Sequence, residues 1–316
     1  MAEHPLPEKE PRAERIRALG LSCGFDAVGF ARVEPVDKET QQLLRDWLSK
    51  GYQAGMSYLE DHIEERLDPS RILPSAKTVV VVLANYYREQ PDHEIRQGKI
   101  ARYAGGRDYH KVLRGDLNRF RKSIEESFAG VEVWCEVDTG PVLERYWAEK
   151  AGVGWIGKNT LLINKGYGSW CFIGILLVSL EIVPDMPHPF HCGTCTRCLE
   201  ACPTRAILEP GVLDSNRCIS YWTIEHRGDL PQEADLHGWI FGCDDCQTVC
   251  PWNRRATPAS REAFHLKEDL QTPDLVRWAS LCREEWDTLT QGTALRRAGY
   301  EGWIRNCRTQ SHRRVE

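Results

Sequence analysis

Two stretches of cysteine constrain this chain more than anything else in it. HCGTCTRCLEACP (191–203) places Cys192, Cys195, Cys198 and Cys202, with Pro203 after the last. FGCDDCQTVCP (241–251) repeats the pattern with Cys243, Cys246 and Cys250 before Pro251, one cysteine short. Thiolates are soft ligands, and cysteines separated by two residues on a tight loop reach neighbouring corners of one iron–sulfur cube. The spacing C-x2-C-x2-C-x3-C-P is the bacterial ferredoxin run, whose fourth cysteine ligates the other cluster in two-cluster proteins. With that crossing, Cys192, Cys195 and Cys198 take Cys250. Cys202 joins Cys243 and Cys246, and Cys218, between the motifs, supplies the missing ligand. The expectation is two 4Fe–4S clusters. Structural zinc is the competing reading, because C-x2-C pairs also build four-ligand zinc sites, but the longer run is not a zinc spacing. Cys23, Cys135, Cys171, Cys282 and Cys307 are scattered and read as small apolar fillers.

The rest of the composition narrows the class. Thirteen cysteines among 316 residues fit metal ligation in a reducing compartment better than disulfides. Residues 1–20 are charged and carry no apolar signal core, so a cytoplasmic protein is expected. The longest apolar run, near Trp170–Leu180, is shorter than the ~20 residues a bilayer span needs, so no membrane partner is expected. A formal net charge of -5 argues against a wholly basic nucleic-acid coat and leaves room for a local basic patch.

Before the cysteines, periodicity predicts alternating helices and strands. Helices are expected over 9–19, 41–52, 109–128 and 142–152, and strands over 26–33, 131–139, 161–164 and 170–182. TVVVVLANYY (78–87) is a continuous β-branched run, the pattern of a strand covered on both faces. An α/β domain is therefore expected over 1–185, ending at the proline-rich PDMPHPF. A ferredoxin-like α+β module follows over 186–255, and helices over 256–316. Two clusters alone describe an electron carrier, a non-catalytic reading that leaves the long first domain without a task.

EVDTGPVLERYWAEKAGVGWIGKNTLLIN (136–164), GSWCFIGILL (168–177) and CISYWTIEHRG (218–228), with GMSYL (55–59) and ARYAGGRDYHKVL (101–113), resemble epoxyqueuosine reductase. The resemblance runs from about residue 10 to residue 306. It implies a nitroreductase-like, cobalamin-binding first domain, base-off cobalamin and two 4Fe–4S clusters. It also implies reduction of epoxyqueuosine to queuosine at the wobble position of tRNA, with a one-electron donor such as a flavodoxin or ferredoxin. The chain stops near the point where longer relatives enter a helical-repeat extension. Reductive dehalogenase, another cobalamin enzyme with two clusters, is the rival; a twin-arginine signal usual there is absent. The cobalamin motif D-x-H-x-x-G is only half present, since Asp108-Tyr109-His110 is followed by Leu113 where glycine is required.

The resemblance also nominates residues. Asp138, in VDTGP, is implied as the acid that protonates the leaving oxygen. It ends a predicted strand before a helix, and burial beside a corrin is expected to raise its pKa. Its bland alternative is a helix cap shared with Thr139, with Pro141 in the first turn. Tyr58, Arg102, Lys158, Asn159, Ser169, Ser220 and Tyr221 are implied to line the corrin or substrate pocket. For tRNA, Thr223, Arg227, Arg254 and Arg255 are expected contacts beside Trp222 and Trp252. Arg296, Arg297, Arg305, Arg308, Arg313 and Arg314 add positive charge near the C-terminus.

Overall fold

A computed structural model describes residues 12–89, 98–232, 234–271 and 274–312. Four strands form the central sheet: β1 (Ala27–Arg32), β2 (Thr78–Asn85), β3 (Val133–Glu136) and β4 (Cys171–Val178), in the order β1-β2-β4-β3. All eight residues of β2 are buried. On one face, Val80 and Val82 meet Leu113, Leu117 and Phe120 of the helix Tyr109–Ser127; on the other, Val79, Val81 and Leu83 meet Tyr146 and Trp147 of the helix Glu144–Lys150. The continuous apolar run thus reports two covered faces. It does not report direction: every pairing in this sheet is antiparallel, with Thr78 opposite Val178 and Val28 opposite Val82. The strand covered on both faces thus sits in an antiparallel sheet with helices on both sides. Gly29 of β1 faces the end of the helix Glu144–Lys150, where a Cβ would lie 2.1 Å from the Ala151 carbonyl oxygen.

The expected helices form with shifted ends. The first runs Arg12–Ser22, residues 9–11 of its prediction lying outside the described residues, and the second runs Lys38–Ser49 behind its Asp37 cap. GWIGKNTLLIN becomes a short hairpin, Trp155–Ile156 paired with Leu162–Ile163, whose tip carries Lys158 and Asn159 toward the cysteine loops.

The C-terminal helices Leu275–Ser280, Arg283–Thr290 and Gly299–His312 pack around Trp278, Trp286 and Trp303. Ile100, Ile240 and Phe241 belong to the same core. They lie on or beside a two-stranded parallel pairing of Lys99–Ile100 with Trp239–Phe241, which joins the first part of the chain to the cysteine region. Asn306 ties the last helix to that seam, donating to the carbonyls of Thr223 and Ile240, both at 2.9 Å. Cys282 is exposed and caps the helix Arg283–Thr290, which corrects its reading as an apolar filler. Among the described residues no helix is long and apolar enough to cross a membrane.

Candidate active site

The fold sorts the motif cysteines into two quartets. Cys192, Cys195, Cys198 and Cys250 line a cavity of about 250 Å³ with His191 and Trp252. Cys202, Cys218, Cys243 and Cys246 stand on the wall of a second cavity of about 350 Å³. Cys250 therefore sits with the first trio, and Cys202 with the second motif. Among the described residues no three His, Cys, Asp or Glu side chains converge as a single-ion site; each quartet surrounds a volume. Burial pushes the thiols of Cys198, Cys218, Cys243, Cys246 and Cys250 up, so a cationic centre is needed to hold them as thiolates.

The second quartet opens toward a larger concavity, about 670 Å³, and Asp138, Tyr103, Tyr109, Cys218 and Ser220 line both spaces. Asp138 has φ +63, left-handed backbone that an L-residue adopts only under constraint. Three neighbours hold it. Its N–H donates to Glu144 Oε1 at 2.6 Å, the Tyr109 hydroxyl donates to Oδ2 at 3.0 Å, and His110 Nε2 lies 2.9 Å from the same oxygen. His110 Nδ1 lies 2.9 Å from Asp108 Oδ1, so the imidazole bridges two carboxylates. Local sequence explains the placement: Asp108 caps the helix Tyr109–Ser127, which puts Tyr109 and His110 in its first turn, where the helix dipole also favours an anion.

The electrostatics differ from the expected raised pKa at Asp138. Burial pushes its carboxyl up, but the His110 bond and charge and the Tyr109 hydroxyl outweigh it, and the net shift is down. His110 is pulled down by burial and more strongly raised by Asp108 and Asp138, to about 9. Burial, with the Asp138 charge, lifts Glu144 to about 8. Near neutrality Asp138 is thus an anion, and the protons sit on His110 and Glu144. Nor is Asp138 a helix cap: the following helix starts at Glu144 behind Leu143.

Comparison with known proteins now adds to this geometry. A family model described as 4Fe-4S double cluster binding domain matches residues 191–253, and one described as Epoxyqueuosine reductase QueG, DUF1730 matches residues 66–139. Epoxyqueuosine reductase of Gloeobacter violaceus is 42% identical, over 95% of this chain and 95% of its own length. The chain belongs to the epoxyqueuosine reductase family. The relative in Cyclobacterium marinum is 40% identical over 94% of this chain and 96% of its own length. An epoxyqueuosine reductase solved with a tRNA-Tyr epoxyqueuosine-modified stem loop is 30% identical with TM-score 0.87, covering 94% of this chain and 80% of that one. A Bacillus subtilis epoxyqueuosine reductase, 28% identical with TM-score 0.87 and the same coverage, was solved with its aspartate catalytic loop swung out of the active site. As a member of this family the protein is an oxidoreductase, with a domain of the double 4Fe–4S type.

The family's nominated residues fall into three groups here. Tyr58, Ser220 and Tyr221 line the large cavity, and Asn159 stands between it and the first quartet, on the walls of both smaller cavities. Three others are committed to holding the cysteine region. Lys158 donates to the carbonyls of Gly193 and Cys195, at 2.7 and 3.0 Å. Ser169 is buried between Gln247 and Asn253. Arg102 binds buried Asp244 and covers the Trp170 ring, and it does not line the large cavity. Thr223 is fully buried, donating to Ile219 and accepting from Gly242, which removes it as a tRNA contact; Trp222 is buried too. Arg227 is exposed but spends its guanidinium on the carbonyls of Ile224 and Arg297. Arg305 caps the helix Ile219–Ile224 through the Trp222 carbonyl. Arg254 and Arg255 are exposed in the turn Pro251–Arg255, beside the first quartet. Arg313 and Arg314 lie outside the described residues.

Sequence reasoning missed His110 as a partner of Asp138, along with Tyr109 and Glu144. The signal was present in GRDYH, where a capping Asp precedes two polar rings, but it was weighed only as a cobalt-ligand motif. Arg297 was read only as surface charge, and Glu225 was not singled out.

Proposed function

We propose that this enzyme reduces epoxyqueuosine to queuosine in tRNA, through two 4Fe–4S clusters and base-off cobalamin, in the cytoplasm. The observation that carries the reading is one continuous space that runs from the Cys202, Cys218, Cys243 and Cys246 quartet to Asp138. A plain electron carrier has no need of such a space. The residues on these walls would hold a corrin without giving it a histidine ligand. His110 is the histidine on these walls, and both its nitrogens are engaged, by Asp108 and Asp138. Aromatic rings and the uncharged Ser220 and Asn159 suit a broad flat ligand.

The quartet with Cys250 would hold one cluster and the quartet with Cys218 the other. When bound, these groups and cobalamin supply electrons of low potential to the substrate carbon. Removing the epoxide oxygen consumes two electrons and two protons and releases water. Asp138 orients toward that oxygen, His110 stores the first proton, which Asp138 passes on, and solvent supplies the second. Tyr109 and Glu144 hold the carboxylate and its backbone in place. Residues 1–185, 186–255 and 256–316 then divide as substrate domain, cluster module and C-terminal closure. A flavodoxin- or ferredoxin-type protein would be the donor, and exposed Arg254 and Arg255 remain the tRNA contacts of this reading.

The test is anaerobic turnover of stem-loop RNA carrying epoxyqueuosine, read as nucleosides by mass spectrometry. Wild type is expected to remove one oxygen, and Asp138→Asn to lose at least about 100-fold in kcat. Equal product from both proteins would keep the reaction and remove Asp138 as its acid. No product from protein shown to hold both clusters and cobalamin would sink the reading.

A further inference from the structure

The quartet of Cys192, Cys195, Cys198 and Cys250 supplies four thiolates, so a cube held there needs no further ligand. His191, one residue before Cys192, nonetheless stands on the wall of the same cavity. Its Nε2 is shut off from solvent and has no hydrogen-bond partner within the protein. Of the described buried side-chain nitrogens in that condition, it is the one that lines a cysteine cavity. A buried polar nitrogen left unpaired is destabilising. The space that His191 lines is where a partner for it would sit.

Other rings hold the imidazole in place. Fully buried Trp155 meets it at 4.9 Å between ring centres and 76°, and Trp252 at 5.7 Å and 50°. The two indoles pack edge to face on each other at 4.9 Å, an arrangement that fixes ring planes. Trp155 belongs to the hairpin Trp155–Ile163, and Trp252 to the turn that follows Cys250. The elements that orient His191 therefore also build the quartet. The second quartet is built differently. Among the described residues no unpartnered buried nitrogen lines its cavity, whereas the carboxylates of Asp244 and Asp245 do.

We propose that His191 Nε2 donates a hydrogen bond to a sulfur of the cluster held by Cys192, Cys195, Cys198 and Cys250, and thereby raises that cluster's reduction potential. The inference rests on the cluster assignment of the proposed function and names a residue that tunes one cluster and not the other. A hydrogen bond to sulfur stabilises the reduced, more negative state more than the oxidised one, so removing the donor lowers the potential. His191 is absent from the walls of the large cavity, so it acts on the electron supply and not on the substrate.

The experiment is an anaerobic redox titration of the full chain followed by low-temperature EPR, which needs no turnover. The signal of this cluster is the one lost in Cys195→Ser. His191→Phe keeps a ring and removes the donor, and should lower the one-electron reduction constant of that cluster about tenfold, about 59 mV. His191→Gln, which restores an N–H of similar reach, should recover most of the loss. The other cluster is the internal control and should stay within about twofold of wild type in both variants. With histidine nitrogen isotopically labelled, hyperfine spectroscopy of the reduced wild type should show a nitrogen coupling to this cluster that His191→Gln lacks. A His191→Phe constant within about twofold of wild type overturns the proposal. Equal shifts in His191→Phe and His191→Gln also overturn it, by assigning the effect to packing and solvent access. If His191→Phe does not retain its cluster, the labelled nitrogen decides, and absence of its coupling in wild type overturns the proposal. Failure of the cluster assignment shows separately, as wild type that has no signal dependent on Cys195.

Discussion

Asp138 shows how far a single carboxylate depends on its neighbours. Burial alone would push its carboxyl up, and His110 with the Tyr109 hydroxyl reverses the direction. Because His110 is raised to about 9, its proton is present at neutral pH and lost as pH climbs through that value. Turnover limited by this proton should fall on the alkaline side near pH 9. In His110→Asn that limb should disappear, with kcat lower by about 10- to 100-fold. A pH–rate profile under anaerobic conditions checks this, and an unchanged alkaline limb would remove His110 from the proton path. The stability sign is the same. The ion pairs of His110 contribute in full below the ordinary histidine pKa, and that contribution is lost as pH rises through about 9.

At the scale of elements, the joint between sheet domain and cysteine region is polar and buried, so each of its bonds counts. Asn253 accepts from the Ser169 N–H at 2.6 Å and donates to Ser169 Oγ at 2.9 Å and the Gln247 carbonyl at 2.7 Å. Gly168 makes room for it: a Cβ there would stand 1.9 Å from Asn253 Oδ1, on a backbone at φ +60. Asn253→Ala leaves these groups without partners and should cost about 1–3 kcal/mol. Thermal unfolding should show a lower Tm, and the cluster absorbance should be lost earlier in the same scan than in wild type. A Tm equal to wild type would show that water replaces the side chain. The elements themselves were largely legible from periodicity, because β2 and the long helix carry strong patterns. Strand direction was not, since an antiparallel strand covered on both faces has the same hydrophobic pattern as a parallel one.

For the whole molecule, the crossing of cysteines between quartets is the decisive wiring. Cys250→Ser should damage the cluster of Cys192, Cys195 and Cys198, although it lies in the other motif. Cys202→Ser and Cys218→Ser should both damage the cluster of Cys243 and Cys246. Iron and sulfide content should fall from about eight each per chain toward about four in each variant. The low-temperature EPR of the reduced protein should separate the variants into two classes, Cys250 alone in one and Cys202 with Cys218 in the other. If Cys218→Ser shares its spectrum with Cys250→Ser and not with Cys202→Ser, each motif keeps its own cluster and the crossing is wrong.

What the sequence determined by itself were properties of spacing and periodicity: the ferredoxin-type cysteine run, the need for Cys218, the doubly covered strand, and a family signature through Asp138. These are short-range codes, in which a few residues at set intervals dictate a local geometry. The tertiary structure decided what depends on approach between distant segments. It put Cys250 beside Cys192, closed Arg102 onto Asp244 and Lys158 onto the Gly193 carbonyl, buried Thr223, and carried Arg297 over Tyr58 from the other end of the chain. It also set the proton on His110 and not on Asp138, because a pKa is a sum over surrounding charge and solvent that no linear spacing encodes.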